Sequence, residues 1–204
     1  LADAVGNAVV SADLSDKDSQ GLDTLAPTLS ISSSAPTLKS GETAVITFTF
    51  SEDPGSSFAW DGTTGDVVVT GGTLGEISGS GLTRTATFTP TAGLASGSAS
   101  ITVASGGYTD TAGNSGGAGI TPVISIDTKA PAVSTVTDAT IAAVTKDAIS
   151  FTVTFDEAVT GAVSTSSFTA TNGSVTSVAA VGGDSNAYTV VVTPTAGVAS
   201  GNVG

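Results

Sequence analysis

Apolar and polar residues alternate along several short stretches of the chain, most clearly over Ala44–Phe50. Within this stretch Ile46, Phe48 and Phe50 fall on one face of an extended segment, and Val or Thr residues fall on the other. A period of two residues with one apolar face is typical of a strand that buries one side. We therefore predict a half-buried β-strand here.

The same reasoning predicts further strands in both halves of the chain. In the first half they are Thr28–Ser32, Asp66–Thr70, Leu82–Thr89, Ala99–Ala104 and Ile120–Ile126. In the second half they are Ala132–Thr137, Ala148–Phe155, Ser167–Thr171, Ser174–Val181 and Ala187–Thr193. No segment has a sustained 3.6-residue period, and the 26 glycines disfavour helix throughout. The pattern predicts an all-β protein with antiparallel Greek-key sandwiches.

A repeat about one domain long underlies this pattern. Asp23–Pro27 reads Asp-Thr-Leu-Ala-Pro, and Asp127–Pro131 reads Asp-Thr-Lys-Ala-Pro 104 residues later. Further along, Thr89–Gly97 returns as Thr193–Gly201 with the same shift. Such a period predicts three parts: an N-terminal segment 1–22, a complete domain 23–126 and a second domain 127–204.

The two ends of the sequence do not match the repeat in phase. Leu1–Asn7 (Leu-Ala-Asp-Ala-Val-Gly-Asn) is similar to Tyr108–Asn114 (Tyr-Thr-Asp-Thr-Ala-Gly-Asn), which ends a repeat, whereas the second copy of that motif would begin beyond Gly204. We expect the second domain to lack its final strand or strands. Leu1 is either a processed mature start or a cut site.

Four motifs carry a resemblance to a known family: Asp-Thr-x-Ala-Pro, Phe-Thr-Phe-Ser-Glu, Thr-Phe-Thr-Pro-Thr-Ala and Tyr-Thr-Asp-Thr-Ala-Gly-Asn. They resemble bacterial immunoglobulin-like (Big-type) tandem repeats of surface adhesins and biofilm-associated proteins. The resemblance implies two tandem Ig-like Greek-key β-sandwiches, the second incomplete, in an extracellular or cell-surface protein.

Composition narrows the function classes. With 18 acidic and 5 basic residues the formal charge is −13, which would repel a nucleic acid backbone. Cys, His and Met are absent, which excludes disulfides and thiol chemistry and suits an extracellular protein. No apolar stretch approaches the ~20 residues that span a bilayer, so we expect no membrane insertion.

Several acidic residues fall where an Ig-like sandwich brings loops together. The entry segment, the loop after the second main strand and the loop before the last strand share one pole of the fold. Oxygen ligands from three loops suit calcium, and a calcium ion there would stiffen the domain junction. The predicted ligands are Asp23, Glu52, Asp53, Asp110 and Asn114. The alternative is that these residues only stabilise turns.

The second domain presents Asp127, Asp156 and Glu157 at the matching pole. Its remaining ligands would correspond to Asp3 and Asn7, which lie at the opposite end of the sequence. We therefore expect a neighbouring molecule to supply them.

The leading functional hypothesis is a filament subunit that assembles head to tail. An incomplete sandwich leaves unpaired strand edges and an open apolar groove. The N-terminal arm of another copy could fill it, and a contact of this kind produces a homopolymer. The predicted donor residues are Ala8, Val9, Val10, Ala12 and Leu14. The alternative is a fragment of a long tandem-repeat adhesin that serves as a spacer or glycan-binding module.

Catalysis is not expected. Without His or Cys, and without a Gly-x-Ser-x-Gly motif, no nucleophile has an evident activating base. Trp60, with Phe58 and Tyr108, could stack on a cell-surface or matrix glycan. The favoured interpretation of Trp60 is the buried tryptophan of an Ig-like sandwich.

Overall fold

The computed structural model describes residues 22–138 and 146–197. The described residues form β-strands joined by turns and loops, with two short 3-10 segments at Gly55–Ser57 and Thr165–Ser167. The strands are β1 (Leu29–Ser33), β2 (Thr37–Lys39), β3 (Ala44–Phe50), β4 (Val67–Thr70), β5 (Gly72–Leu74), β6 (Ser78–Ser80), β7 (Thr83–Pro90), β8 (Gly97–Val103), β9 (Gly119–Ile120), β10 (Ile124–Asp127), β11 (Val133–Asp138), β12 (Ile149–Phe155), β13 (Gly173–Ala180) and β14 (Ala187–Pro194). The described residues contain no helix that is long and apolar enough to cross a membrane.

The described residues separate into two compact units. The first comprises 22–36, 43–89 and 98–124, and the second comprises 37–42, 90–97, 125–138 and 146–197. The structural units therefore differ in detail from the sequence repeats, because the short segments 37–42 and 90–97 group with the second unit. Below, "repeat" refers to the sequence period and "unit" to these structural groups.

The first unit has two sheets. One has the strand order β1-β3-β7-β5, with β6 also paired to β7, and in the other β8 pairs antiparallel with β4 and β9. Along β3 burial alternates as the sequence predicts, since Ile46 and Phe48 are fully buried whereas Val45 and Thr49 are exposed. Apolar residues from both sheets, including Phe88 and Ile101, form the core.

The second unit contains a four-stranded antiparallel sheet of order β11-β12-β14-β13. It also contains β2 and β10, which pair in parallel. Val153, Val190 and Val192 are the buried centre of the four-stranded sheet, and Phe151, Phe155 and Phe168 pack around them while only partly buried. Burial in this unit is therefore shallower than in the first.

Two predicted strands are corrected: Ile120–Ile126 is interrupted, with only β9 at its start and β10 at its end, and Ser167–Thr171 is absent. Residues 168–171 of the predicted strand Ser167–Thr171 are not extended into a sheet, and Ser167 ends a 3-10 segment. Ser164 and Ser167 exchange side-chain and backbone hydrogen bonds in a capping box. These local bonds compete with strand pairing. The strands β2, β5 and β6 were not predicted, because at three residues each they are too short to show an alternating pattern.

Candidate metal centre

Two buried aromatic residues fix the loops that carry the central acids of the first repeat. Phe50 ends β3 and Tyr108 follows β8, and their rings meet edge to face with centroids 5.2 Å apart. Tyr108 is 1% exposed, and its ring lies so close to Gly116 that a Cβ there would overlap it. Glu52 and Asp110 each follow one of these anchors by two residues. The packed core therefore fixes the backbone positions from which the side chains of Glu52 and Asp110 extend.

The loop around Asp110 is held by its own hydrogen bonds. The backbone N–H of Asn114 donates to Asp110 Oδ1 at 2.9 Å, and Asn114 Nδ2 donates to Asp110 Oδ2 at 2.8 Å. Burial by itself would raise the pKa of Asp110, but these bonds, with the backbone amides of Gly113 and Ala112, together lower it. Asp110, only 5% exposed, is therefore held as a carboxylate.

The entry segment of the first repeat is attached to the same loop. The Tyr108 hydroxyl donates to the carbonyl of Pro27 at 3.3 Å, and Asn114 Nδ2 donates to the carbonyl of Asp23 at 3.2 Å. At the next position, Thr28 N–H donates to Ser51 Oγ at 2.8 Å and Ser51 N–H donates back to the Thr28 carbonyl at 3.0 Å.

These contacts bring three carboxylates from three segments together. Oxygen atoms of Asp23, Glu52 and Asp110 all lie within 4.8 Å of one another. Glu52 Oε1 is buried and accepts no hydrogen bond from the described residues. Burial, followed by the negative charges of Asp23 and Asp110, raises the pKa of Glu52. A group of hard oxygen ligands with one unsatisfied buried oxygen has the chemistry that Ca²⁺ requires.

Two other predicted ligands, Asp53 and Asn114, are not among the three carboxylates that meet. Asp53 accepts a hydrogen bond from Arg84 Nη2 at 3.2 Å and another from the Gly55 N–H at 2.9 Å, so it lies outside the group of three carboxylates. Asn114 bonds two members of the group through its side-chain nitrogen, which donates to Asp110 Oδ2 and to the carbonyl of Asp23. Arg84 is 9% exposed and also donates to the carbonyl of Gly55 at 3.0 Å. Sequence reasoning missed this partly buried ion pair, because an isolated arginine 31 residues from its partner has no local signature.

The second repeat has the same pair of hydrogen bonds between its entry segment and the following loop, which we call the backbone frame, but different side chains surround it. Asp156 occupies the place of Ser51, since its Oδ1 accepts the Ala132 N–H at 2.8 Å and its N–H donates to the Ala132 carbonyl at 2.9 Å. Its other oxygen accepts Lys129 Nζ at 2.5 Å. Lys129 aligns with Leu25 of the first repeat, which is 70% exposed. Lys129 is thus a site residue that sequence reasoning missed, although the aligned Leu-to-Lys difference was a visible signal.

The lysine alters the electrostatics around Asp127, Asp156 and Glu157, which, unlike the three acids of the first repeat, do not form a group of potential metal ligands among the described residues. The hydrogen bond with Asp156 raises the pKa of Lys129, and the charges of Asp156, Glu157 and Asp127 add to this effect. The same bond lowers the pKa of Asp156. Glu157 Oε1, like Glu52 Oε1, is buried without a hydrogen-bond partner among the described residues. The predicted contributors Asp3 and Asn7 lie outside the described residues, as do the donor positions Ala8, Val9, Val10, Ala12 and Leu14.

Trp60 does not occupy the centre of the sandwich, which corrects the interpretation favoured from the sequence. Its side chain is only partly buried, with Nε1 donating to the carbonyl of Leu74 at 3.3 Å. The deep aromatic position belongs to Phe58, which is 2% exposed and packs against Phe48 and Phe50. The reason is local, because Trp60 lies outside the named strands and pairs with Gly65 in an isolated bridge.

A second candidate surface is the apolar face of the four-stranded sheet in the second unit. It forms a groove of about 240 Å³ with few polar groups. Val133 and Val136 on β11 are 53% and 59% exposed. The residues lining the groove are Val133, Val136, Phe151, Val153, Phe168, Thr169, Val175, Val190 and Val192. The exposure of Val133 and Val136 shows that this part of the face is open among the described residues.

Comparison with protein families agrees with this architecture. A family model described as a bacterial Ig-like domain matches residues 23–125 and again residues 127–203. These two matches together span most of the chain. Comparison with curated proteins gave no match.

Proposed function

We propose that this chain, which belongs to the bacterial Ig-like domain family, is a structural segment of an extracellular surface adhesin in which bound calcium fixes the entry to the first repeat. Domains of this family commonly occur in surface proteins and are structural rather than catalytic. The coarse function, a surface structural role, therefore follows from the family. The calcium site is the specific part of the proposal.

One observation carries the calcium site: carboxylates of Asp23, Glu52 and Asp110 meet within 4.8 Å, and one Glu52 oxygen is buried without a partner. Without a cation this arrangement costs free energy, as the raised pKa of Glu52 reflects. Calcium would offset the repulsion and supply the missing contact. Because Asp23 precedes the first strand, whereas Glu52 and Asp110 lie in loops of the folded unit, a bound ion would restrain the entry segment.

Isothermal titration of chelator-treated protein tests this site. We expect binding of calcium with a rise in Tm, and loss of both in Glu52→Gln. Glu76→Gln is the matched control, since Glu76 is a glutamate of the same unit outside the group of three. Absence of binding heat at millimolar calcium, together with an unchanged Tm, would remove the site.

A second function is supported by the open apolar face of the second unit: acceptance of a strand from the N-terminal arm of another copy. The arm contains the repeat-ending motif Leu1–Asn7 followed by an apolar alternation up to Leu14. In the first repeat the same motif, Tyr108–Asn114, precedes β9 and β10. An arm of this composition fits a groove lined by valine and phenylalanine, and its donation would link copies head to tail.

Light scattering after size exclusion tests strand donation. The wild-type chain should form polymers, and deletion of residues 1–20 should give monomers. On the acceptor side, Val136→Glu should also give monomers, whereas Val68→Glu should not. Val68 is a suitable control because it is 60% exposed on β4 of the other unit, compared with 59% for Val136. Monomeric wild-type protein, or polymers that persist after deletion of the arm, would reject donation.

A further inference from the structure

The two repeats differ at two aligned positions that touch each other in the second repeat. Leu25 and Ser51 in the first repeat correspond to Lys129 and Asp156 in the second. The backbone frame is the same in both, because Thr28 and Ser51 exchange hydrogen bonds as Ala132 and Asp156 do. Against this constant frame, an apolar residue and a hydroxyl are replaced by an ammonium and a carboxylate that bond each other. The two differences therefore act as a pair.

The position of the ammonium group shows what it does. Lys129 Nζ lies 2.5 Å from Asp156 Oδ2, and the charges of Asp127 and Glu157 also act on it. Lys129 precedes β11, whereas Asp156 and Glu157 follow β12. The ion pair thus joins the entry segment of the second repeat to the loop after β12. In the first repeat, Asp23 and Glu52 lie in the two corresponding segments.

The first group of acids has no comparable cation among the described residues. Arg84, whose ion-pair partner Asp53 adjoins Glu52 in the sequence, is held by Asp53 and the carbonyl of Gly55. Leu25 occupies the position of Lys129 and offers no charge. The carboxylates of Asp23, Glu52 and Asp110 therefore face one another without an internal counter-ion.

We propose that Lys129 is a built-in cation that fixes the entry of the second repeat in place of a metal ion. This inference rests on the proposed cation site of the first repeat for its contrast: one entry depends on calcium and the other does not. Each entry needs a positive charge to offset its carboxylates, and the two repeats obtain that charge in different ways. A lysine provides it permanently, whereas a bound ion provides it only when calcium is present.

Backbone amide exchange measured by NMR on the 204-residue chain tests this, because the frame supplies matched amides in both repeats. In the wild-type protein, calcium should slow exchange of the Thr28 and Ser51 amides and leave Ala132 and Asp156 unchanged from the chelator-treated state. Lys129→Met removes the charge and keeps the side-chain stem. It should speed exchange of Ala132 and Asp156 by about two- to fivefold with or without calcium, the range of a partly exposed ion pair.

Two further variants sharpen the test. Lys129→Arg keeps the charge and should leave the exchange of Ala132 and Asp156 near the wild-type rate. The double variant Leu25→Lys with Ser51→Asp transfers the ion pair to the first repeat. There the amides at positions 28 and 51 should become protected in chelator and lose their response to calcium.

The outcomes separate the two proposals. Unchanged exchange in Lys129→Met, or protection of Ala132 and Asp156 that requires calcium, overturns the role of Lys129. A wild-type chain in which Thr28 and Ser51 ignore calcium overturns the proposed metal site instead, and the Lys129→Met result still decides whether the lysine fixes its own entry. Added salt gives an independent check, because it should speed exchange of Ala132 in the wild type and not in Lys129→Met.

Discussion

The two repeats share equivalent hydrogen bonds between the entry segment and the loop, but the charged side chains around these bonds differ. In the first repeat Ser51 and Thr28 close the frame, three carboxylates converge, and Arg84 is buried against Asp53. In the second, Asp156 closes the same frame and Lys129 binds it, while the positions of Asp53 and Arg84 hold Ala158 and Tyr188. Between the repeats, charge partners change in pairs while the hydrogen bonds between the entry segment and the loop remain, because an unpaired charge near the core is costly.

The repeats also differ in how deeply their sheets are buried. Phe48 on β3 is fully buried between two sheets, whereas Phe151 on β12 is only partly buried at the open groove. Burial of apolar surface is the main stabilising term in both. We therefore expect the described part of the second unit to depend on whatever covers its apolar face.

The largest effect is expected from truncating the core phenylalanines. Phe48→Ala should destabilise the first unit by about 3–5 kcal/mol, because it leaves a cavity in a closed core. Phe151→Ala should cost about half as much, since less of its surface is removed from water. Calorimetry that resolves the two transitions measures both. Equal losses would show that the apolar face of the second unit is covered in solution.

Calcium should have the next largest effect, and only on the first unit. A ligand at a hundred times its Kd shifts the folding equilibrium about a hundredfold, which raises Tm by several degrees. Because Glu52 has a pKa raised above 4.5, protons compete with calcium in the range above that value. Calcium affinity should therefore fall as pH decreases through the raised pKa of Glu52. A pH-independent affinity between pH 4 and 7 would contradict a role for this carboxylate.

Breaking the partly buried ion pair of Arg84 and Asp53 in the first unit should have an intermediate effect. Arg84→Met removes the hydrogen bonds to Asp53 and Gly55, and we expect a loss of about 1–3 kcal/mol in urea unfolding. Asp53 is half exposed and can rehydrate, which limits the cost. Lys146→Met is the control, because Lys146 is 93% exposed in its pair with Asp147 and should be neutral. A neutral Arg84→Met would mean that the pair adds nothing beyond packing.

The smallest effect is expected at Lys129. Lys129→Met should lower the Tm of the second unit slightly, and less so in high salt. Asp156 has a lowered folded pKa, so its contribution is present above 3.8 and is lost as pH falls through the lowered value. Lys129 has a raised folded pKa, so its contribution is present below 10.5 and is lost as pH rises through the raised value. The Tm difference between wild type and variant should therefore disappear at both extremes of pH.

Local patterns in the sequence were enough to predict the class of the fold and the period of the repeat. Alternation along Ala44–Phe50 identified the buried face of β3, and the motifs around Asp23 and Tyr108 indicated which loops meet. These features are local or recur at a fixed spacing, so a pattern reveals them. The positions of Asp23, Glu52 and Asp110 at one pole were deduced from the sandwich resemblance, and the structure groups these three.

The partners of each charge, in contrast, depend on contacts between segments that are distant in the sequence. Asp53 pairs with Arg84, Asp156 pairs with Lys129, and Trp60 is only partly buried while Phe58 is buried in the core. Each outcome depends on which side chain is nearest across a loop or between strands, and pairs that are 27 to 31 residues apart leave no periodic trace. Likewise, the local hydrogen bonds between Ser164 and Ser167, which stand at the start of the predicted strand Ser167–Thr171, are visible only once the backbone is in place. Packing and charge pairing depend on residues that are far apart in the sequence, whereas the alternation of apolar and polar residues is local to each strand.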